Sequence, residues 1–104
     1  MTVYVDDMYR YLVGRFGRMK MSHMIGDTEA ELHAMARRIG VARRWYQGDH
    51  YDVAMAKRAL AIKLGVVPIA YRTLGLMCAN RKATGTLGDP LTAEAVWRAR
   101  KEAV

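Results

Sequence analysis

The 104-residue sequence holds one cysteine, Cys78, so neither an intrachain disulfide nor a cysteine-based zinc site can form within it. It has no apolar run of about 18 residues, so no segment is expected to span a membrane. The opening Met-Thr-Val-Tyr-Val-Asp-Asp turns acidic at once and is not expected to act as a secretory signal. Gly14-x-x-Gly17 lacks the Gly-Lys-Ser/Thr ending of a phosphate loop. No serine or cysteine sits in a nucleophile motif. His23, His33 and His50 form neither His-x-x-x-His nor His-Glu-x-x-His, so their spacing assigns no metal and no cofactor. Acid is also scarce: ten Asp and Glu stand against seventeen Lys and Arg.

What is present describes one folded unit. Hydrophobic residues make up 52% and charged residues 26%, which excludes a disordered or fibrous chain. The length fits a single domain over residues 1–104, expected in the cytoplasm. The net charge is +7, and the basic side chains are mostly arginine, which binds phosphate with two parallel donors. Between residues 8 and 48, Arg10, Arg15, Arg18, Lys20, Arg37, Arg38, Arg43 and Arg44 face only Asp27, Glu29 and Glu31. An anionic partner follows from that balance, with a plain solvated surface as the alternative. Eight methionines read as adaptable core filler and leave a homo-oligomer open.

The pattern predicts a small, three-layer-like α/β domain. Its short, mainly parallel sheet is β-α-β-α-β over residues 3–71, with additional C-terminal helices over 72–104. Residues 2–6 read as a buried first strand. Residues 8–27 form a long connection in which the alternation of residues 18–23 allows an extra strand or hairpin. Thr28 and Glu31 make a capping box, Leu32, Met35, Ala36 and Ile39 an apolar stripe, and Gly40 a C-terminal cap. Residues 41–47 read as the second strand. Asp52 then caps a second helix with Val53, Ala56, Leu60 and Leu64 inward and Gly65 as its stop, and residues 66–71 form the third strand. Pro68 places that strand towards an edge. Ala36, Gly40, Val41 and Tyr46 repeat as Ala61, Gly65, Val66 and Tyr71, as two αβ units with equal geometric demands would. Thr73 starts a third helix with Leu74, Met77 and Cys78 on one face. Thr92 caps a last one, stapled by Leu91 and Val96 and anchored by Trp97.

Ligands of open parallel sheets bind beyond the carboxyl ends of the strands. That rule gathers Asp6 and Asp7 from the first strand, Gln47, Asp49, His50 and Asp52 from the second, and Arg72 from the third. The long first loop brings His23. His50 could bind phosphate, move a proton or ligate a metal, or have no task in its loop. His23 is a ligand contact or a packing residue, and His33 reads as a partner of Glu29 one turn back. Asp6, Asp7, Asp49 and Asp52 could converge on a divalent ion, although adjacent Asp6 and Asp7 point to opposite faces. Arg44 and Trp45 could hold a nucleotide's phosphate and base, respectively.

Val3-Tyr4-Val5-Asp6-Asp7, Ser22-His23, Asp27-Thr28, Glu31-Leu32-His33, Arg44-Trp45-Tyr46-Gln47, His50-Tyr51-Asp52 and Lys57-Arg58-Ala59 together resemble a small uncharacterised domain family of bacterial and phage proteins with a His-Tyr-Asp hallmark. The resemblance covers residues 3–71. It brings no activity but implies that these polar residues form the family's site, adding His33 and Arg58 to it. The expected function is binding of a phosphate-bearing small molecule, a nucleotide or a cyclic-nucleotide-like signal, as in sequestration by a phage protein in the host cytoplasm. Asp6, His23, His33, Arg44, Trp45, Gln47, His50, Asp52, Arg58 and Arg72 are the expected contacts. The alternatives are a phosphodiesterase or nuclease-type hydrolase using His23, His50 and Asp6, the one reading that admits a divalent metal, and a nucleic-acid-binding module.

Overall fold

A computed structural model describes residues 2–103. The chain builds a mixed α/β domain with a five-stranded sheet and four α-helices among the described residues. Strand β1 (Val3–Val5) and strand β3 (Met19–Gly26) pair antiparallel, with Val5 opposite Met24. Strand β2 (Arg15–Phe16) forms the short hairpin with β3 that the alternation of residues 18–23 allowed. Strand β4 (Tyr51–Ala54) pairs antiparallel with β3, setting His23 opposite Asp52 and Met24 opposite Tyr51. Strand β5 (Val67–Pro68) lies parallel to β1. The expected parallel sheet is therefore correct only for that last pair; the other three pairs are antiparallel.

The second strand is not where the apolar pattern put it. Residues 43–45 make a single 3₁₀ turn, closed by Trp45 N–H to Ala42 C=O (3.0 Å) and Tyr46 N–H to Arg43 C=O (3.0 Å). Arg43, Arg44 and Trp45 are all exposed, so the segment has no buried face to set against a sheet. The position beside β3 goes to β4, whose Tyr51 and Val53 are buried while Asp52 and Ala54 are half-buried. That is the period-two alternation a half-buried strand requires. Asp52 thus sits inside a strand and caps no helix. Helix α2 (Met55–Lys63) starts after Ala54 without a side-chain cap, and its buried residue is Ala61, with Leu60 exposed.

Alternation along the strands divides the core in two. Val3, Val5, Met24, Tyr51 and Val53 pack under helix α1 (Glu29–Arg38) with Leu32, Ala36 and Ile39, and with Ala61 of α2. Tyr4 and Ile25 point the other way. They pack with Leu74 and Met77 of helix α3 (Tyr71–Thr84) and with Ala93 of helix α4 (Ala93–Glu102). Helices therefore cover both faces of the sheet.

The repeated Ala-x-x-x-Gly-Val element marks a shared helix ending. Val41 N–H reaches Ala36 C=O (2.8 Å) and Val66 N–H reaches Ala61 C=O (3.0 Å). Gly40 (φ 78°) and Gly65 (φ 105°) supply the left-handed turn between them. Beyond those glycines the two copies diverge, into the 3₁₀ turn and into β5. Helix α4 lacks the expected staple, because Leu91 is 92% exposed. Thr92 makes no side-chain cap there.

Two helix starts carry testable contributions. Thr28 Oγ1 accepts the Glu31 N–H (3.2 Å), as a cap should. The other half of the expected box is altered: the Glu31 carboxylate accepts the Thr28 hydroxyl proton (2.9 Å) and not the Thr28 backbone N–H. Helix α3 begins at Tyr71, not Thr73, and is capped from a distance by Asp7, whose carboxylate accepts the Tyr71 N–H at 2.7 Å. Negative charge at a helix start also opposes the helix dipole favourably. Thr28→Ala and Asp7→Ala should each lower stability by about 1 kcal/mol, and the double variant should lose close to the sum. Urea midpoints with an unchanged denaturant slope would check this. A midpoint equal to wild type for Asp7→Ala would remove the remote cap.

Candidate functional site

The site grows from the end of β1. The ladder continues one residue past the strand, with Asp6 N–H donating to His23 C=O at 2.9 Å. Since His23 is opposite Asp52, the residues Asp6, His23 and Asp52 form one transverse row across β1, β3 and β4. Paired residues share a face, so the row lies on the α3 side of the sheet.

Asp6 is fully buried. Its Oδ1 accepts the backbone N–H groups of His23 (2.8 Å) and Met8 (3.1 Å), and its Oδ2 lies 3.0 Å from His23 Nδ1. A buried carboxylate is tolerated only with such compensation. The hydrogen bond to Asp6 raises the pKa of His23, against the opposing effect of burial and with support from Asp52 and Asp49. With Nδ1 engaged, His23 presents Nε2 on its other side, 3.7 Å from Asp52 Oδ1.

His50 completes the group. It stands just before β4 on a turn closed by Gln47 N–H to His50 C=O (2.9 Å). Its Nδ1 pairs with Asp49 Oδ1 at 2.5 Å, and its Nε2 lies 3.5 Å from the same Asp52 Oδ1. The two imidazoles meet edge to face at 4.7 Å. Gln47 Nε2 donates to Asp52 Oδ2 (2.8 Å), while Asp52 Oδ1 is buried with no hydrogen-bond partner. His23 and His50 open on a crevice of about 580 Å³, walled by the first two turns of α3 with Tyr71, Arg72, Leu74 and Leu76. The Tyr71 ring stacks on His23 at 6.0 Å with 14° between planes.

Asp6, His23, Gln47, His50, Asp52 and Arg72 thus come together. Arg72 is at the rim, 64% exposed and paired with Glu94 (3.2 Å). The remaining candidates lie elsewhere. His33 is on the α1 face, its Nδ1 2.6 Å from the buried Tyr51 hydroxyl, because Tyr51 and Asp52 alternate across β4. Arg44 lies over Trp45 (5.4 Å), away from the crevice, since the exposed 3₁₀ turn carries both outward. Arg58 is engaged structurally, donating to the Asp6 carbonyl (2.9 Å) with its guanidinium over Tyr9. Asp7 also reaches α3, contrary to the expected opposite facing from Asp6: it lies past the end of β1 with a non-extended backbone (φ −111°, ψ 30°), so strand alternation no longer governs it.

Sequence reasoning missed Tyr71 and Arg81. Tyr71 resembled the end of a strand because it repeats Tyr46, yet it opens α3. Arg81 Nη1 donates to Gly26 C=O (3.0 Å) and Nη2 to Asp49 C=O (3.3 Å), tying the His50 turn to α3. No local pattern announces that role. Cys78 lines the crevice, but burial pushes its thiol pKa up, so it is held as a thiol and not as a nucleophilic thiolate.

A family model described as "Protein of unknown function (DUF4031)" matches residues 3–81, most of the sequence, and the chain belongs to that family. The match extends past the expected boundary at residue 71, through most of α3, and takes in Tyr71, Arg72 and Arg81. No curated protein and no solved structure matches the chain.

The Asp6–His23 pair gives a direct test. In wild type the His23 imidazole should titrate above the ordinary histidine value of 6.5. In Asp6→Asn it should fall, because an amide does not stabilise the imidazolium as a carboxylate does. Imidazole carbon-bound protons followed by NMR against pH would show both. Equal values in the two proteins would exclude the hydrogen bond as the cause.

Proposed function

We propose that this member of a family of unknown function binds a phosphate-bearing small molecule, nucleotide-like in character, in the crevice between His23, His50 and the start of α3. One observation carries the reading. Two histidines, each held at Nδ1 by its own carboxylate, stand side by side at the floor of a crevice with apolar and aromatic walls. Such pockets recognise ligands by a few convergent polar groups, with apolar walls supplying the contact area. The phosphate meets the Nε2 edges of His23 and His50, where an imidazolium donates a charge-assisted hydrogen bond. Tyr71 and Leu76 border the space for the organic part. Arg72 adds attraction from the rim and contributes less, being exposed and already paired with Glu94.

A second reading is hydrolysis of a phosphate ester. The specific observation favouring it is the buried carboxylate behind His23, since a histidine oriented in this way is suited to accept or deliver a proton. His23 and His50 would then serve as base and acid, and their edge-to-face contact at 4.7 Å supports action on one phosphate.

Calorimetry with a panel of nucleotides, followed by chromatography of bound and free fractions, separates the two readings. For a binder, His50→Ala should weaken affinity about ten- to a hundredfold, as expected for loss of a hydrogen bond to a charged group, and the ligand returns unchanged. Arg72→Ala should cost less than tenfold. For a hydrolase, His50→Ala leaves binding nearly intact and abolishes product. Affinity for oligonucleotides that falls steeply with salt would instead support the nucleic-acid reading. Unaltered binding and unaltered turnover in His50→Ala would sink the site.

A further inference from the structure

We propose that His23 Nε2, His50 Nε2 and Asp52 Oδ1 form a binding site for a divalent first-row transition-metal ion of the zinc class, with its open coordination positions facing the crevice. The proposal rests on the phosphate reading above in one respect: with the ion bound, the phosphate would meet its open positions in place of protonated Nε2 edges; the metal site itself stands on its own geometry.

The three donor atoms come from β3, the preceding turn and β4, and all lie within 4.8 Å of one another. Asp52 Oδ1 is 3.7 Å from His23 Nε2 and 3.5 Å from His50 Nε2. Both distances are too long for hydrogen bonds. Ligands at about 2.0–2.1 Å around a tetrahedral ion stand roughly 3.3 Å apart, so the two His–Asp distances need close by only a few tenths of an ångström, while the two imidazole nitrogens, within 4.8 Å of each other, draw together further as the ion binds. The orphaned oxygen is the sharpest sign. Asp52 Oδ2 is satisfied by Gln47, whereas Oδ1 is buried between two imidazole nitrogens with no hydrogen-bond partner. A carboxylate oxygen withdrawn from water and left unpaired is destabilising unless a hydrogen-bond donor or a cation meets it, and no donor does here.

The surrounding contacts match those of a ligating histidine, which gives its second ring nitrogen to a carboxylate and so fixes tautomer and ring angle. Asp6 does this for His23 and Asp49 for His50. The charge balance points the same way. Asp6, Asp49 and Asp52 place three carboxylates around two imidazoles, and the rim Arg72 is paired with Glu94. Arg58 and Arg81 give their hydrogen bonds to the backbone carbonyls of Asp6, Gly26 and Asp49 and not to these carboxylates, so a bound ion would offer an entering anion a cationic contact that does not depend on imidazole protonation. Imidazole with carboxylate suits zinc-class ions, while magnesium and calcium prefer all-oxygen sets.

The test uses the full chain after chelator treatment and gel filtration. Co²⁺ should bind with one-to-one stoichiometry and give visible absorption bands that Zn²⁺ abolishes. His50→Ala and Asp52→Asn should each weaken binding by at least about tenfold, and Asp6→Asn, behind His23, by about ten- to a hundredfold. His33→Gln, on the opposite face, should bind as wild type does. Should the variants not fold, wild type still decides: Zn²⁺ should shift the imidazole NMR signals of His23 and His50 and leave those of His33 in place. Absence of stoichiometric binding by folded wild type overturns the metal site, as does binding that survives both His50→Ala and Asp52→Asn. Nucleotide calorimetry with metal-free and Zn²⁺-loaded protein keeps the two proposals apart. Metal bound without nucleotide overturns the phosphate reading alone, and nucleotide bound by protein that takes up no metal overturns the metal site alone.

Discussion

The Asp6 carboxylate is the constraint on which the rest of the site depends. It is a charged group at the end of the central strand β1, wholly withdrawn from water. Its two oxygens gather the backbone amides of Met8 and His23 and the ring of His23. One side chain therefore closes the turn after β1, ties that turn to β3 and fixes the direction of an imidazole. A buried charge strongly resists loss of its partners, so this cluster is expected to be stiff. Arg58 adds a further tie by donating to the carbonyl of the same residue.

That stiffness is exported to the helices. Asp7, the next residue, has left the extended strand and receives the first amide of α3 on its carboxylate. The helix wall of the crevice is thereby registered to the strand that carries its floor. Arg81, near the far end of α3, holds Gly26 and the turn that presents His50. Both ends of the helix are attached to the polar row, and between them Leu74 and Met77 pack on Tyr4 and Ile25. Polar and apolar contacts agree on one placement, which is what a preorganised site needs.

The site combines three acids, of which Asp49 lines the crevice, with two histidines in a strongly basic chain. The cationic surface and the carboxylate-rich floor act over different distances. Surface arginines bias the approach of anions over roughly the Debye length. Within the crevice the pairings are short and specific, with one carboxylate oxygen set between two imidazole nitrogens. The phosphate, the proton transfer and the metal ion proposed above would each use the same Nε2 edges.

The sequence by itself determined the local features. The Thr28 cap, the Leu32–Ala36–Ile39 stripe and the helix-ending glycines Gly40 and Gly65 are settled by residues within one or two turns of each other, and a linear reading sees them. It also singled out Asp6, His23 and the His50–Asp52 cluster, since acids and histidines beside buried strand segments stand out chemically. Only the tertiary structure decided which segment pairs with β3. Residues 41–47 and 51–54 both carry apolar and aromatic residues suited to a strand. The choice depends on which of them can bury a face against a partner distant in sequence, and Tyr51 and Val53 can where Arg43, Arg44 and Trp45 do not. That choice turned Asp52 from an expected helix cap into a member of the row and set Tyr51, the partner of His33, on the opposite face. It is a matter of register: strand side chains alternate with period two, so the pairing of β3 with β4 decides on which side His23, Tyr51 and Asp52 fall.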